Sequence, residues 1–277
     1  MGGQRIPLGE GPILMALSEA RYAEATLRVV RQLCEHGARS AMLLHAAEPP
    51  LSSEEVLERL GLAAEDVEGW IVEPLSGDPA VAVLDAARVC RCSLLVLELS
   101  PDGEEPSDLL KRLLTESPCP LLLVPATLRP GWGKGGIILL PLDGTPSTAS
   151  VAPLAIDVAV RNAAALEILF VGMPRLPSEP GSMGLPAYLD QPQHEWAMWK
   201  REFLFRFSEC YWGGKLPVEA TLVMATGDPG DAILELAGRH EPDVIVIGWH
   251  GELEHAHAQT LRKVLHHSRW PVMTARV

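Results

Sequence analysis

The feature that most constrains this chain is a set of short motifs that occurs twice along its length. A Gly-Asp-Pro motif at residues 77–79 recurs at residues 227–229, and each copy precedes a segment with helical spacing of apolar residues. The apolar run at 94–98 recurs at 244–248 with the same offset. Motifs that recur in the same order at a constant offset predict two copies of one structural unit.

The run at 244–248, Val-Ile-Val-Ile-Gly, indicates what kind of unit is repeated. It is apolar and β-branched without polar alternation, as expected of a parallel strand covered on both faces. Similar runs alternate with helical segments, which predicts an α/β fold with a parallel sheet. Strands are predicted at 12–17, 40–46, 67–74, 93–99, 121–124, 136–142, 166–172, 244–248 and 272–276. Helices are predicted between them, among others at 19–36 and 147–161.

The repeat divides the chain into two units. The first unit is predicted at residues 11–126 and the second at 136–277, joined by a Pro- and Gly-rich linker at 127–135. Along the sequence, fewer residues separate the first strands of the two units than separate their later matched motifs. The second unit therefore carries an insertion after its second strand, with an irregular Pro-, Gly- and Ser-rich loop at about 173–192.

An aromatic helix is predicted after that loop, at residues 193–212. Its aromatic residues share one broad face and are Trp196, Trp199, Phe203, Phe207 and Trp212. In the simpler interpretation this stripe packs on the sheet, because each face of a parallel sheet needs covering helices. In the alternative, the stripe is a surface for a protein partner or for self-association.

Charge and composition restrict the class of partner. The net charge of −13 argues against binding to nucleic-acid phosphates or to an anionic membrane. No apolar stretch reaches the ~18 residues that a membrane span needs, and residues 1–11 lack the apolar core of a signal peptide. Five scattered cysteines indicate reduced thiols, so we expect a cytoplasmic protein.

Two groups of side chains have the composition of metal ligands. Cys90 and Cys92 flank one arginine and fit either a redox or metal pair or ordinary apolar packing at a helix end. The second group comprises His250, His255, His257, His266 and His267. Side chains two positions apart, such as His255 and His257, do not share a helix face, and we expect no metal site.

Several features of the second unit occur together in one known family. They are the Gly-Asp-Pro before a helix, the Asp-Val-Ile-Val-Ile-Gly strand from Asp243, the Gly-x-His-Gly that ends at Gly251 and the closing Trp-Pro-Val strand. This combination resembles the universal stress protein family, whose tandem members carry two Rossmann-like, HUP-type sandwiches with five-stranded parallel sheets. The resemblance implies a pseudo-dimer in which the edge strands 121–124 and 272–276 pair antiparallel. Apart from this edge pairing, we expect the two sandwiches to remain distinct and not to form one continuous sheet.

Resemblance to the ATP-binding members of that family implies a nucleotide site in the second unit, beyond the carboxyl ends of its strands. The resemblance assigns the family's Asp after the first strand to Asp143, whose carboxylate would accept hydrogen bonds from ribose hydroxyls. Gly248 and Gly251 match its Gly-x-x-Gly. The implied ligand is ATP or another adenine nucleotide, and Val171 would lie against adenine. The full implied set is Pro141, Leu142, Asp143, Gly144, Val171, Ile247, Gly248, His250 and Gly251. In the alternative, Asp143 only ties its own turn together.

The chain departs from the family pattern in both units. The family's phosphate-cradling Gly-Ser/Thr pair is replaced by Leu261-Arg262 or, counted back from the next helix, by Ala258-Gln259. We therefore expect weak binding at most. In the first unit Ser18 replaces the Asp and Glu98 the first Gly, and we predict no nucleotide there.

No nucleophile–base set, Walker loop or zinc-hydrolase pair occurs in the sequence, so we expect no catalytic residues and at most weak ATP hydrolysis. The expected function is a sensing or binding role in the stress response, with weak adenine-nucleotide binding in the second unit. The alternative is an interaction module without nucleotide that acts through the helix at 193–212.

Overall fold

The computed structural model describes residues 9–18, 20–37, 40–99, 108–133, 136–171, 195–249 and 256–276. In these residues the strands are β1 Ile13–Ala16, β2 Ala41–Ala46, β3 Ile71–Leu75, β4 Leu94–Glu98, β5 Leu121–Val124, β6 Ile137–Leu142, β7 Ala165–Val171, β8 Ala220–Ala225, β9 Val244–Trp249 and β10 Val272–Arg276. The α-helices are α1 Ala23–Gly37, α2 Ser53–Leu60, α3 Pro79–Val89, α4 Asp108–Glu116, α5 Pro146–Ala149, α6 Ala152–Arg161, α7 Glu195–Tyr211, α8 Pro229–His240 and α9 Ala256–His267.

The strands form one hydrogen-bonded sheet in the order β3-β2-β1-β4-β5-β10-β9-β6-β7-β8. Neighbouring strands within β1–β5 are parallel, and so are those within β6–β10. Only β5 and β10 pair antiparallel among these strands, with Leu122 opposite Met273. The predicted α/β fold with two five-stranded parallel sheets is confirmed, as is the predicted pairing of the two final strands.

This antiparallel seam makes the sheet continuous across the two units, so the expectation that they do not share one continuous sheet is wrong. An unpaired edge strand leaves a row of backbone N–H and C=O groups without hydrogen-bond partners. Here the edge strand of each unit supplies those partners to the edge strand of the other unit. The Arg276 guanidinium adds a contact across the seam, donating to the Thr115 carbonyl oxygen at 3.0 Å. The two units therefore share a hydrogen-bonded boundary instead of meeting only through side chains.

Helices cover both faces of the sheet. Side chains alternate between the faces along each strand, so these apolar strands place apolar side chains on both faces, and both must be buried. On one face, the buried apolar residues of the strands pack against α1, α2, α6 and α7. On the other, they pack against α3, α4, α8 and α9. Both units contribute to both layers, which explains why the strands lack polar alternation.

The repeated Gly-Asp-Pro motif starts equivalent helices in the two units. Asp78 caps α3 by accepting a hydrogen bond from the Val81 N–H at 2.9 Å, and Asp228 caps α8 by accepting one from the Asp231 N–H at 2.9 Å. The following proline suits the first helical turn because its missing N–H has no partner to lose there.

The predicted third strand begins too early. Residues Ala64–Val67 form a 3-10 turn, and β3 starts at Ile71. The Asp66 carboxylate accepts a hydrogen bond from the Ala63 N–H at 2.9 Å and so closes the turn. The first predicted helix also opens with a 3-10 turn, Ala20–Tyr22, before α1.

The predicted helix at 147–161 is divided into α5 and α6. The break has a local cause, since Pro153 lies in the first turn of α6 and has no N–H to donate to a carbonyl one turn earlier. Asp143, in the turn before α5, therefore meets a short separate helix rather than a long one.

The aromatic helix α7 packs its stripe onto the sheet. The side chains of Phe203 and Phe207 are 4% and 0% exposed, and Phe203 meets Phe170 of β7 edge to face at 6.3 Å between ring centroids. Phe205 on the other side of the helix is 61% exposed. The simpler interpretation therefore describes the inner face, whereas the side chain of Trp196 lies outside the described residues.

None of the helices in the described ranges is long and apolar enough to cross a lipid bilayer.

Candidate functional site

The order of strands creates a crevice between β6 and β9. These two strands are hydrogen-bonded neighbours, and the chain continues from β6 outward through β7 and β8 but from β9 in the opposite direction to β10. In open α/β sheets, ligands bind beyond the carboxyl ends of the strands at such a reversal. Asp143 follows β6 directly, and Gly248 is near the carboxyl end of β9, so both predicted residues belong to this edge.

The Asp143 carboxylate is held by the turn that follows it. Its Oδ1 accepts hydrogen bonds from the Thr145 N–H at 2.8 Å, the Thr145 hydroxyl at 2.7 Å and the Thr148 hydroxyl at 2.6 Å. The Asp143 N–H donates back to the Thr148 hydroxyl at 3.3 Å. The turn-tying role weighed for Asp143 is therefore present, and it also fixes the orientation of the carboxylate at the crevice.

Gly144 and the short helix α5 complete the turn. Gly144 has a φ of 86°, a backbone conformation that side-chain-bearing residues rarely adopt. Helix α5 packs against β9, which links the Asp143 turn to the strand that carries Gly248. Among the strand residues, Leu142 is buried and Pro141 is partly buried.

Val171 and Ile247 are buried in the apolar layer under α8 and α9, with exposures of 4% and 7%. Trp249, next to Gly248, is in the same layer and is 4% exposed. Sequence reasoning assigned no role to this tryptophan, although strand alternation from Ile247 predicts the face on which it lies. His250 and Gly251, the rest of the Gly-x-x-Gly, lie outside the described residues.

The equivalent crevice of the first unit lies between β1 and β4 and has different chemistry. The Ser18 N–H donates to the Glu98 carboxylate at 3.1 Å, and the Ser18 hydroxyl contacts the same carboxylate. A cavity of about 130 Å³ lies beside them, lined mainly by apolar residues that include Leu44, Val83 and Leu110. Drug-sized ligands occupy pockets of about 300–1,000 Å³. The cavity formed by the described residues lies below that range.

A second carboxylate, Asp243, has a role that sequence reasoning missed. It is 2% exposed, and its carboxylate accepts hydrogen bonds from Arg129 at 2.6 Å and from the N–H groups of Gly133 and Gly136 at 3.1 Å each. The Trp132 indole N–H donates to the Asp243 carbonyl oxygen at 2.8 Å. The predicted linker is therefore fastened to the start of β9.

A cation in each unit contacts the helix cap of the Gly-Asp-Pro motif. Arg112 of α4 lies 3.0 Å from Asp78, and Lys263 of α9 lies 3.0 Å from Asp228 and 2.6 Å from Asp231. Hydrogen bonds from the Asp231 N–H and from Lys263 lower the pKa of Asp228. Hydrogen bonds to Asp231 and Asp228 raise the pKa of Lys263, so this cation is already engaged by two acids.

The described residues contain no group of three or more His, Cys, Asp or Glu side chains arranged to hold a metal ion. His266 and His267 are described, and their rings meet edge to face at 4.6 Å between centroids. His255 lies outside the described residues, and nothing is described of the side chain of His257.

Comparison with known proteins places the second unit in a sequence family. A profile described as the universal stress protein family matches residues 136–276. No curated protein gives a significant match.

Solved structures resemble the whole chain. A universal stress protein from Archaeoglobus fulgidus DSM 4304 is 16% identical with 99% of each chain covered and a TM-score of 0.66. A functionally unknown protein from Pseudomonas aeruginosa PAO1 is 18% identical over 97% of this chain and 93% of that chain, with a TM-score of 0.66. The cytoplasmic domain of a prokaryotic cation chloride cotransporter is 13% identical over 97% and 96% of the two chains, with a TM-score of 0.54. At these identities the likeness concerns the fold alone.

Proposed function

The chain belongs to the universal stress protein family, and on that premise we propose that it is a tandem member that binds one adenine nucleotide weakly. The binding site in this proposal is the crevice between β6 and β9 of the second unit. The first unit, residues 11–126, is a structural partner that has no nucleotide. The molecule acts as a cytoplasmic sensor or binder in the stress response rather than as a catalyst.

The observation that carries the proposal is the oriented carboxylate of Asp143 at a strand-order reversal. A carboxylate has about four lone-pair sites and accepts several hydrogen bonds at once. Thr145 and Thr148 hold this one at the carboxyl end of β6 before any ligand arrives. A preorganised acceptor loses little entropy when a ribose hydroxyl binds to it. The remaining members of the proposed site are Pro141, Leu142, Gly144, Val171, Ile247, Gly248, His250 and Gly251.

Affinity is limited by the missing phosphate grip. The chain has Leu261-Arg262 or Ala258-Gln259 where the family pattern has a phosphate-binding Gly-Ser/Thr pair. Lys263 does not replace that pair as a counter-charge, because Asp228 and Asp231 already hold its ammonium group. We therefore expect a dissociation constant on the order of 1 mM, or about −4 kcal/mol of binding free energy.

Isothermal titration of the full chain with ATP, ADP and AMP tests the proposal. The wild type should bind one nucleotide per chain, and Asp143→Ala should remove the signal. Loss of a hydrogen bond to a charged group costs about 1.5–3 kcal/mol, which takes a millimolar ligand out of range. Ser18→Ala is the matched control, since Ser18 occupies the position of Asp143 in the first unit, and it should bind as the wild type does. Absence of heat at millimolar nucleotide refutes the proposal.

A second candidate function is supported by the outer face of α7. Met198 and Phe205 are 71% and 61% exposed and seven positions apart, so they lie on the same side of the helix. Under this alternative the chain is an interaction module that self-associates or binds a protein through α7, without nucleotide.

Sedimentation equilibrium measures the average mass and so tests the self-association that this alternative includes. A Met198→Ser, Phe205→Ser double variant should lower the average mass if the outer face mediates self-association. Because both side chains are exposed, the substitutions should leave the fold intact, as far-ultraviolet circular dichroism can verify. An unchanged mass at high protein concentration refutes self-association through this face.

A further inference from the structure

Two cysteines of the first unit face each other across neighbouring strands. The Sγ atoms of Cys92 and Cys119 are 3.1 Å apart, and both cysteines are free. Cys92 lies two residues before β4, and Cys119 lies in the turn that leads into β5, 27 positions later in the sequence. This pair differs from the Cys90–Cys92 pair that sequence spacing suggested.

The backbone on both sides holds the two sulfurs in place. The Cys92 N–H donates to the Ala87 carbonyl oxygen at 3.1 Å, which closes the end of α3. The Cys119 N–H donates to the Ser117 hydroxyl at 3.4 Å, and the Leu95 N–H donates to the Pro120 carbonyl oxygen at 3.1 Å. The contact between the thiols therefore depends on fixed strand starts rather than on mobile chain ends.

The two thiols differ in their readiness to react. The hydrogen bond from Cys92 lowers the pKa of Cys119, and Ser117 lowers it further against the opposing effect of burial. The same hydrogen bond and burial raise the pKa of Cys92. Cys119 is also partly exposed, whereas Cys92 is 8% exposed. Since the thiolate is the reactive form, the lowered pKa and the greater exposure both favour Cys119 as the attacking sulfur and Cys92 as the sulfur that follows.

The fold does not require sulfur at these positions. The matched positions of the second unit are Pro242 and Trp270, at the equivalent strand start and turn. The same architecture is thus built there without either thiol. Cys90 is directed elsewhere, because its thiol lies 3.8 Å from the Met42 sulfur.

We propose that Cys92 and Cys119 form a reversible intrachain disulfide when a peroxide oxidises the first unit. The Cys119 thiolate attacks one peroxide oxygen, the O–O bond breaks, and hydroxide leaves to give Cys119 sulfenic acid. Cys92 then attacks that sulfur, the S–O bond breaks, and the departing hydroxide takes up the Cys92 proton as water. Overall, two thiols lose two electrons and two protons, and one peroxide becomes two waters. A dithiol reductant reverses the bond by thiol–disulfide exchange.

The bond would join the start of β4 to the turn before β5, the strand that forms the seam with β10. It closes a loop that contains β4 and α4 and therefore restricts opening of the seam edge of the first unit. This inference is independent of nucleotide binding, because both sulfurs lie at the amino ends of the strands, away from the crevice.

Peptide mapping of the full chain after hydrogen peroxide treatment tests the proposal. Protein should be oxidised with one equivalent, blocked with iodoacetamide and digested without reductant. We expect a cross-linked pair of peptides that contain Cys92 and Cys119, and its disappearance after treatment with dithiothreitol. A Cys34→Ser, Cys210→Ser variant serves as the matched control and should give the same cross-link at the same rate.

Two further variants make the outcome decisive. Cys90→Ser should leave the cross-link intact. Cys92→Ser should stop Cys119 at the sulfenic acid after one equivalent of peroxide, and a second equivalent should oxidise it to the sulfinic acid, in place of a disulfide. The proposal is overturned if Cys119 is linked to Cys90, if it remains alkylatable after peroxide, or if it is over-oxidised in the wild type while Cys92 stays free.

Discussion

Asp243 shows how a single buried carboxylate fixes the connection between two units. Its carboxylate accepts hydrogen bonds from Arg129 and the Gly133 N–H of the linker and from the Gly136 N–H of the second unit, and Asp243 directly precedes β9. The linker is also attached to the first unit, because Gln32 and Arg28 of α1 donate hydrogen bonds to the carbonyl oxygens of Gly133 and Trp132. The linker is therefore an ordered bridge between α1 and β9.

Asp243→Ala should destabilise the protein strongly. Removing one partner of a buried ion pair leaves the other charge without compensation and costs about 3–5 kcal/mol. Urea denaturation followed by circular dichroism measures the loss. Asp85→Ala is the matched control, because its side chain is 61% exposed beside Arg88 and should change stability by less than about 0.5 kcal/mol. Equal losses for the two variants contradict the role of Asp243.

The two carboxylates illustrate what the sequence predicts and what it does not. The partners of Asp143 are two and five positions away, so its turn is a local feature that sequence patterns can suggest. The partners of Asp243 are 107 to 114 positions away, and no local pattern reports them. For the same reason the Pro- and Gly-rich composition of the linker suggested a connector but not its attachment.

Asp228 gives a prediction of pH dependence. In the folded protein its pKa lies below the ordinary aspartate value of 3.8. The main cause is the hydrogen bond from the Asp231 N–H, and the hydrogen bond from Lys263 adds to it. A lowered carboxyl pKa contributes stability above its unfolded value, and this contribution is lost as the pH falls through the folded value. Asp228→Asn keeps a capping side chain without the charge.

The wild type should therefore exceed Asp228→Asn in free energy of unfolding at neutral pH, and the difference should shrink as the pH falls through and below 3.8. Chemical denaturation of both proteins across that range measures the difference. A difference that stays constant with pH contradicts the assignment of the stability to the Asp228 charge.

At the scale of elements, α7 is the insertion's structural contribution to the second unit. Its inner face continues the layer formed by α1, α2 and α6. The Phe207 ring stacks on Phe203 and contacts Tyr211 at a tilt along the same side of the helix. Burial raises the pKa of Tyr211 to about 12. The periodicity of the aromatic residues predicted this helix well, because an amphipathic stripe is itself a helical signal. It did not predict which outer residues remain exposed.

Two phenylalanines on α7 test its packing. Phe207→Ala should cost about 3–5 kcal/mol, since it leaves a cavity at a fully buried position. Phe205→Ala, two residues earlier and 61% exposed, should change stability by less than about 0.5 kcal/mol. Thermal or urea unfolding of the pair gives the comparison, and a larger effect at Phe205 than at Phe207 means that α7 faces the other way.

At the scale of the whole molecule, duplication produces one sheet with two crevices of different chemistry. The motif repeat predicted two units and the pairing of β5 with β10, because equal units have equal edges. It did not predict continuity, although antiparallel pairing of two edges necessarily gives one ten-stranded sheet. Ser18 and Glu98 in the first unit occupy the positions of Asp143 and Gly248 in the second, so the two crevices differ. The first holds a contact between Ser18 and the Glu98 carboxylate, and the second holds a carboxylate bonded to its own turn.

The claim that only the second unit binds nucleotide is tested most directly by the position of the ligand. Crystals of the full chain soaked in millimolar ATP should show density for one adenine nucleotide beside Asp143, between the carboxyl ends of β6 and β9. The crevice beside Ser18 and Glu98 should show none. Density in the first unit, or at neither crevice, contradicts the account.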